Sequence, residues 1–452
     1  MKTIDLKEAI RLCREGENMT PAERGKIREE RLRSLVCYAK EHSPYFKEAY
    51  QGIGDDFALS DLPPTSKRVL MEDYEKWVTD PRVTYDGVFE YVNSPAAAAG
   101  GYLGDYSAIT TSGTTGNPMP MVRDAYHNMI HGAMMQERLL RQTEPDLMIP
   151  VNNKLAAVVF LDPHVSSYSS LLRTKKAYPG YEDNILAVPI NADIATIVDE
   201  LNRFQPDLIT GYPSVMGALA NAQKDGRLNI SPKAVACSAE VLTERVYQAL
   251  RSVFGCPVLN NYCSTEGGEA AMSCDQGKLH VNDDWVIIEP VDREGNPVKE
   301  GEWSDGIYIT DLTNYVQPII RYHMEDKVKL LKEPCPCGSS LPVMEILGRT
   351  TENLVVGGVE LLGINVEYLI MYVEGVYALQ VVQTGDRDFE IRMIPESEDQ
   401  RQSAFEEAKE ALETFFAKNG CPPVTIRMSS KPPIHSQRGG KVKSIVKAFD
   451  GR

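Results

Sequence analysis

Short apolar runs alternate with amphipathic segments through the middle of the chain. Each run is rich in Val, Ile, Leu or Ala, and segments with helical spacing follow several of them. Runs of this kind are typical of buried parallel strands, which need crossover helices between them. The pattern therefore predicts an α/β fold with largely parallel sheets. The predicted strands are residues 154–161, 185–189, 207–213, 234–237 and 258–259, and the predicted helices include 194–204 and a helix that ends at Val253.

The two ends of the chain differ from this middle part. Residues 3–50 are predicted to be mostly helical, with one apolar side, and a further helix is predicted to start at Ser66 after a Pro-Pro breaker. After Val281 the pattern predicts twisted antiparallel strands at 285–289 and 306–310. The last hundred residues predict a separate small α+β module. Its predicted elements are a hairpin at 354–362, strands at 378–383, 389–394 and 424–428, and a charged helix at 396–418.

Composition and charge exclude some classes of function. The chain has 452 residues, enough for more than one domain, and a formal net charge of −16. An acidic balance argues against general nucleic-acid binding, which needs a basic surface. No apolar run is long enough to cross a membrane, and no signal-peptide pattern opens the chain. The nine cysteines fit thiols or metal ligands better than a disulfide framework. We expect a cytoplasmic protein with no membrane partner.

One loop is rich in glycine and hydroxyl side chains. It runs from Thr110 to Pro118 and contains Thr111, Ser112, Gly113, Thr114, Thr115 and Gly116. Glycines let a backbone turn its N–H groups toward an anion, and the hydroxyls add donors. A Walker A loop would place Lys-Ser/Thr after the last glycine, but Asn117-Pro118 stands there. The loop is predicted to hold phosphates outside the P-loop class, and a plain polar surface loop is the alternative.

Four further motifs follow this loop in a fixed order. They are Asn261 to Gly268, Thr310 to Asp326 with its Pro-Ile-Ile-Arg-Tyr element, Gly348 to Asn353, and Gly439-Gly440-Lys441. Together the five resemble the adenylate-forming superfamily, and most closely its phenylacetate-CoA ligase branch. The resemblance covers nearly the whole chain. It implies a large N-terminal α/β sandwich domain (1–347) that binds ATP and the carboxylate, and a small α+β C-terminal lid (348–452) that rotates between half-reactions.

The resemblance also implies roles for individual residues. Glu266 is expected to be catalytic and to associate with Mg²⁺, a hard cation that binds through carboxylates and substrate phosphates. Asp326 and Arg349 are expected to hold the ribose. Alone, an acid or a tyrosine at such positions is more often a solvated side chain or a strand-end aromatic. The remaining ATP-binding expectations are Thr111, Ser112, Gly113, Thr114, Thr115, Gly116, Ser238, Ala239, Glu240, Asn261, Tyr262 and Thr265.

The C-terminal residues carry the remaining chemistry. Lys441 resembles the catalytic lysine that neutralises charge on the α-phosphate, and Lys443 is close enough to be its rival. The chain departs from the branch at Ser444, where arginine is usual. Thr351 occupies the hinge position in place of the usual Asp or Lys. Gly357 and Gly358 are expected to admit the arm of coenzyme A. The acid is expected to bind near Tyr212 and Pro213.

Four cysteine and histidine residues form two pairs with metal-ligand character. Cys335 and Cys337 are a C-x-C pair, and Cys274 with His280 is a second pair upstream. Thiolates and imidazole are the ligands of four-coordinate structural zinc. Some members of the branch resemble this pattern, so a structural Zn²⁺ is predicted. Four independent side chains are the alternative.

The resemblance implies an AMP-forming ligase. A carboxylic acid, preferably aryl or arylacetic, would attack ATP to give an acyl-adenylate, and coenzyme A would then take the acyl group. A carrier-protein thiol as acceptor and a non-ligase nucleotide-binding protein remain open. The sequence does not name the acid, and it leaves the oligomeric state open, although homodimers are common in this branch.

Overall fold

The structure of the protein is a computed structural model. It describes residues 3–94, 97, 101–104, 106–111, 118–143, 151–163, 165–190, 192–242, 244–349, 354–361, 363–370, 373–395, 397–433 and 444–449. In this part of the chain the helices are α1 (Leu6–Asn18), α2 (Pro21–His42), α3 (Pro44–Ala49), α4 (Lys67–Glu72), α5 (Tyr74–Trp77), α6 (Tyr85–Val92), α7 (Ala125–Met134), α8 (Ser166–Ala177), α9 (Ile194–Phe204), α10 (Pro213–Lys224), α11 (Glu244–Phe254), α12 (Gly363–Ile370) and α13 (Arg401–Lys418).

A nine-stranded mixed sheet forms the centre of the fold. Its parallel half consists of β3 (Leu155–Val159), β4 (Ile185–Pro189), β5 (Leu208–Gly211), β6 (Ala234–Ser238) and β7 (Val258–Ser264). Its antiparallel half consists of β8 (Gly268–Ser273), β9 (Leu279–Val281), β13 (Asp326–Leu330) and β14 (Val343–Arg349). The strand order is β13-β14-β9-β8-β7-β6-β5-β3-β4. Residues that follow the parallel strands therefore meet along one edge, where open α/β sheets place their ligands.

Four smaller sheets complete the described structure. A hairpin consists of β1 (Ser107–Thr110) and β2 (Pro120–Arg123), and a three-stranded antiparallel sheet consists of β10 (Val286–Val291), β11 (Gly306–Asp311) and β12 (Ile319–Met324). The C-terminal elements are a hairpin of β15 (Leu354–Val356) and β16 (Val359–Leu361) and a sheet of β17 (Val376–Gln383), β18 (Asp388–Pro395), β19 (Thr425–Met428) and β20 (Ile445–Lys447).

The N-terminal helices are fixed to the fold by buried charges. Arg24 of α2 is 0% exposed, and its Nε donates to Asp283 Oδ1 at 2.6 Å. Arg138, beyond α7, donates to both carboxylate oxygens of Asp284 at 2.8 Å. Arg31 of α2 covers the ring of Trp285 at 3.2 Å. A guanidinium pairs well with a planar carboxylate or an aromatic face, so the turn after β9 holds helices that lie far away in sequence.

The predicted α/β class is confirmed, and so are most of the predicted elements. Strand β4 and helix α9 have their predicted bounds; Asp193 caps α9 by accepting from Thr196 N at 2.9 Å, and Ser66 caps α4. The predicted charged helix at 396–418 begins later, at Arg401, after a short 3₁₀ turn. The β1–β2 hairpin, α12 and β20 were not predicted.

Strand β14 runs to Arg349, across the predicted domain boundary at 348. The boundary and the rotation of the lid stay predictions. No helix in the described ranges is long and apolar enough to span a membrane.

Candidate active site

The predicted adenine segments lie side by side at the ligand edge of the sheet. Ser238, at the end of β6, is the register partner of Asn261 on β7. Ala239 follows with a φ of +70°, which is unusual for a residue with a Cβ. Such backbone conformations concentrate at functional sites. Asn261 Oδ1 is buried and has no hydrogen-bond partner among the described residues. This acceptor is therefore available to a ligand donor, as the predicted role requires.

The hairpin β1–β2 holds the predicted phosphate loop at its tip. Thr111 N donates to Met119 O at 3.0 Å, and Thr111 Oγ1 accepts from Met119 N at 2.9 Å. These two bonds close the neck of the loop. Ser112, Gly113, Thr114, Thr115 and Gly116 lie outside the described residues. Thr111 thus has a structural task, and its contact with ATP stays a prediction.

Arg123 connects this hairpin to the turn that carries Glu266. It is 5% exposed at the end of β2, and its Nη2 donates to Thr265 O at 2.9 Å and to Ser264 O at 3.3 Å. A buried guanidinium bonded to two carbonyls fixes both segments in one arrangement. The two motifs most strongly associated with phosphate and metal in the sequence are therefore joined directly. Arg123 was not among the predicted site residues, because it stands just after the glycine-rich loop motif.

The turn after Glu266 packs on a buried histidine. Gly268 has a φ of +59°, and a Cβ on it would stand 2.2 Å from Cε1 of His131. Any other residue there would displace the imidazole ring. Gly267 N donates to Ser264 Oγ at 2.8 Å, which closes the turn. Glu266 is half-buried and belongs to this tight, supported turn, a suitable setting for an Mg²⁺ that keeps several waters.

A buried network of charges lies directly behind that turn. His131 Nδ1 is 2.6 Å from Glu269 Oε2, and its Nε2 is 3.1 Å from Thr313 Oγ1. Thr313 in turn donates to the fully buried carboxylate of Asp311, and His127 Nδ1 lies 3.0 Å from Asp311 Oδ2. Helix α7, strand β8 and strand β11 each contribute to this network.

The network is built for hydrogen bonds and not for a metal. His127, His131 and Asp311 have ligand-type atoms within 4.8 Å of one another. However, the two rings are stacked, with centroids 4.0 Å apart and planes at 27°. One nitrogen of each ring faces the hydroxyl of Thr313, at 2.8 Å for His127 and 3.1 Å for His131. The Thr313 hydroxyl already bridges the two rings.

The protonation states in the network follow from its partners. Burial lowers the pKa of His131, but hydrogen bonds to Asp311 and Glu269 outweigh burial and raise that pKa to about 9. Burial, followed by the charge on His131, lowers the pKa of His127 to about 3. Burial raises the pKa of Glu269, yet the bond to His131 wins and lowers it to about 2. At neutral pH the network is an imidazolium between two carboxylates, with a neutral second histidine beside it.

The predicted acid-binding residue Tyr212 lies beside the adenine segment. It is 3% exposed at the end of β5. Burial and the nearby Glu240 carboxylate raise its pKa to about 12, and its hydroxyl also lies near Cys263 and Ser167. Pro213 is the first residue of α10, a position that suits a residue without an N–H. The structure therefore brings the predicted acid and nucleotide segments together.

The four predicted zinc ligands converge on one point. Their ligand atoms all lie within 4.8 Å of one another. Cys274 Sγ is 3.7 Å from Cys335 Sγ, and Cys337 Sγ is 3.4 Å from His280 Nε2. Tetrahedral zinc would set two sulfurs about 3.8 Å apart and a sulfur and a nitrogen about 3.5 Å apart. His280 Nδ1 lies 2.9 Å from Leu341 O, so its N–H can point there while Nε2 faces the thiols. The donors present fit a closed zinc site.

Comparison with known proteins gives relatives of low sequence identity. No protein-family model matches the chain. Protein CapK of Staphylococcus aureus is 25% identical over 256 residues, which are 55% of this chain and 54% of CapK, so the chain spans about half the length of that relative. Phenylacetate-coenzyme A ligases are 24% identical over 384 residues in Thermus thermophilus (80% of this chain, 79% of the ligase) and 24% identical over 450 residues in Aromatoleum evansii (92% of each).

Solved structures show where the fold belongs. A 2-hydroxyisobutyryl-CoA ligase in the postadenylation state has a TM-score of 0.69 at 19% identity and covers 96% of this chain and 91% of its own. The anthranilate-CoA ligase AuaEII has a TM-score of 0.50 at 15% identity, over 74% of this chain and 65% of its own. The solved structures show that the chain has the fold of these acyl-CoA ligases. In sequence, the chain is similar at low identity to phenylacetate-coenzyme A ligases.

Other predicted site residues are only partly placed. Asp326 and Arg349 are register partners on β13 and β14, but β13 is four strands from β7 in the sheet, and the Arg349 side chain lies outside the described residues. Gly357 and Gly358 form the turn between β15 and β16, with φ values of +58° and +84°. Lys441, Lys443 and Thr351 lie outside the described residues. The roles of all of these remain predictions.

His131 should stabilise the fold at neutral pH and lose this effect in alkaline solution. Its pKa rises from about 6.5 in an unfolded chain to about 9 in the folded protein. Its stabilisation is therefore complete below pH 6.5, roughly the unfolded pKa, and is lost as pH rises through the folded pKa. We expect the advantage of wild type over His131→Asn in unfolding free energy to shrink by about 1–3 kcal/mol across this window.

The measurement is urea unfolding of both proteins at a series of pH values. His42→Asn is the matched control, because His42 is an exposed histidine at the end of α2. An advantage of wild type over His131→Asn that stays constant with pH would contradict the assigned charge state.

Proposed function

We propose that this protein is an AMP-forming acyl-CoA ligase. It would join a carboxylic acid to ATP as an acyl-adenylate with release of pyrophosphate, and then transfer the acyl group to coenzyme A. The observation that carries the proposal is the Arg123 bridge, which fixes the phosphate-loop hairpin against the Glu266 turn at the ligand edge of the sheet. Support comes from the curated relatives, two of which are phenylacetate-coenzyme A ligases matched over most of their length.

The first half-reaction needs charge on the triphosphate to be neutralised. Glu266 is the residue that would hold Mg²⁺, which supplies electrostatic stabilisation to the phosphates when bound. The turn through Gly267 and Gly268 carries this residue, and Arg123 donates hydrogen bonds to the carbonyls of Ser264 and Thr265 in the same turn. Fixed donors and charges of this kind act on the transition state without reorganising. Lys441 is proposed as the cation for the α-phosphate.

The acid is proposed to be aryl or arylacetic, and the acceptor to be coenzyme A. Two of the relatives are phenylacetate-coenzyme A ligases, and this supports both the acid class and coenzyme A as the acceptor. Transfer to a carrier-protein thiol uses the same first half-reaction and is the second candidate.

An assay of pyrophosphate release with a panel of carboxylic acids tests the first half-reaction. We expect wild type to release pyrophosphate from ATP with at least one acid and to form its coenzyme A thioester, detected by mass. Glu266→Gln should lower the rate by about 100-fold or more, because a charge that acts in the transition state is lost.

Glu302→Gln, on the exposed surface, is the matched control and should behave as wild type. Wild-type protein that releases no pyrophosphate with any acid would contradict the proposal. Pyrophosphate release with a thioester on a carrier protein, and none on coenzyme A, would favour the second candidate.

Asp326 is proposed to accept hydrogen bonds from the ribose hydroxyls. Asp326→Ala should weaken ATP binding by about 1.5–3 kcal/mol, the scale of a hydrogen bond to a charged group. The variant should bind ATP and 2′- or 3′-deoxy ATP equally well, whereas wild type should discriminate, as measured by calorimetry. Wild type that binds all three equally would assign Asp326 to another task.

We also propose a structural zinc ion held by Cys274, His280, Cys335 and Cys337. The ion would join the β8–β9 turn to the segment before β14. Arg24 Nη2 donates to Ser340 O at 2.7 Å, close to Cys337 in sequence, so the same segment also holds α2. Zinc in a closed site contributes directly to folding free energy.

Purified protein made with zinc available should contain about one zinc per chain. Cys337→Ser should release the ion and lower the thermal midpoint by at least about 5 °C. Cys37→Ser, at an exposed cysteine, should change neither quantity. Elemental analysis that finds no zinc in the wild type would refute the site.

A further inference from the structure

Arg173 is a cation without a carboxylate partner among the described residues. It lies on α8 and is half-buried, and its Nη1 donates to the hydroxyl of Ser169, one helical turn earlier, at 2.9 Å. Within the described ranges no carboxylate oxygen comes within 4.0 Å of this guanidinium, and the same is true of Arg123, which is bonded to two carbonyls. Two such arginines in one region are unusual, since buried charge is normally paired.

The charge of Arg173 is affected by Arg123 and by Glu269. Burial, followed by repulsion from Arg123, lowers the pKa of Arg173 to about 10, and Glu269 opposes this shift only in part. Arg173 therefore stays charged at neutral pH. Glu269 compensates it weakly, because one oxygen of that carboxylate is already held by the His131 imidazolium at 2.6 Å. Of the two described charges that act on Arg173, one is the cation Arg123 and the other is a carboxylate that it shares with His131.

The arrangement of α8 shows which face carries Arg173. Tyr168 and Leu171 pack on the apolar cluster over β3 and β4. At 100° per residue, Arg173 and Ser169 project from the opposite side of the helix. Helix α8 also lies against β1, the strand that enters the phosphate loop. Arg173 therefore faces the region between the hairpin and the Glu266 turn, where substrates of the proposed reaction meet.

We propose that Arg173, with Arg123 beside it, forms a subsite for an oxyanion brought by a substrate. A partly desolvated cation costs free energy unless a ligand supplies the opposite charge. Guanidinium groups bind carboxylates and phosphates through paired hydrogen bonds. The inference rests on the proposed ligase function. Two groups in that reaction have the required chemistry: a second anionic group on the carboxylic acid, and the phosphates of ATP.

The acid is the source we expect. Helix α8 carries Ser167 close to the Tyr212 hydroxyl, so the same helix borders the predicted acid pocket. The preferred substrate is then an acid with two anionic groups, one that reacts and one that Arg173 holds. This prediction narrows the substrate class beyond the plain arylacetic acids that the relatives' names suggest.

The test compares matched acids that differ only in the distal charge. 4-Carboxyphenylacetic acid and 4-carbamoylphenylacetic acid, whose distal group is uncharged, are titrated into full-length wild type, Arg173→Gln and Arg173→Lys. Pyrophosphate release is measured with each acid. We expect wild type to prefer the dicarboxylic acid, and Arg173→Gln to lose about 10- to 150-fold in its affinity while binding the carbamoyl acid unchanged. Arg173→Lys keeps the charge and should retain part of the preference. Arg203→Gln, at an exposed arginine of α9 paired with Glu200, should match wild type.

A second arm titrates ATP with Mg²⁺, and inorganic pyrophosphate with Mg²⁺, into the same proteins. If Arg173→Gln loses affinity for these ligands and binds the acids unchanged, the result supports the subsite and shows that the oxyanion it binds is a phosphate of ATP. If Arg173→Gln alters neither arm, the subsite is overturned. The binding arms need no turnover. A preference for the dicarboxylic acid without pyrophosphate release from any acid would uphold the subsite and refute the ligase.

Discussion

The centre of this protein depends on one buried imidazolium. His131 holds Glu269 on one side and, through the Thr313 hydroxyl, Asp311 on the other. Burying two carboxylates without a counter-ion would cost far more than the fold can supply, so the imidazolium is the condition for their burial. Helix α7, strand β8 and strand β11 are thereby held together around the turn of Glu266. The glycine at 268 belongs to the same constraint, because a side chain there would occupy the space of the ring.

Buried ion pairs also connect the N-terminal helices to the site. The turn after β9 places Asp283 and Asp284 against Arg24 and Arg138, and both guanidinium groups are almost fully buried. Arg138 follows His131 by two turns in the same helical segment, which passes through a π-helical stretch at Met135–Leu139. Buried pairs of this kind tolerate little displacement, because loss of one partner leaves the other charged and desolvated. The N-terminal helices and the proposed zinc site are therefore coupled to the geometry of the cleft.

The sequence allowed local structure to be predicted better than long-range pairing. Helix α9 could be predicted to the residue because Asp193 caps it and apolar residues recur at helical spacing. The four cysteine and histidine residues of the proposed zinc site could be grouped because zinc chemistry restricts the residue types. The pairing of His131 with Glu269 could not be predicted, since 138 residues separate them and no pattern in the sequence links the two. His127 and His131 do stand four apart on one helix, a signal that points to a shared face but not to its partner. The β1–β2 hairpin was missed because its strands flank a loop whose composition dominates the local pattern.

The whole chain is acidic, whereas Arg123 and Arg173 have no carboxylate within 4.0 Å among the described residues. A formal net charge of −16 would repel ATP and an anionic acid from most of the surface. At physiological salt this repulsion is screened beyond about 8 Å, so local groups decide binding. Arg123 is almost fully buried and Arg173 half-buried, where screening is weaker and each charge acts more strongly on a ligand. The two guanidinium groups thus place positive charge where anionic substrates of the proposed reaction would meet. The acidic balance of the chain disfavours nucleic acids, which a generally basic protein would attract.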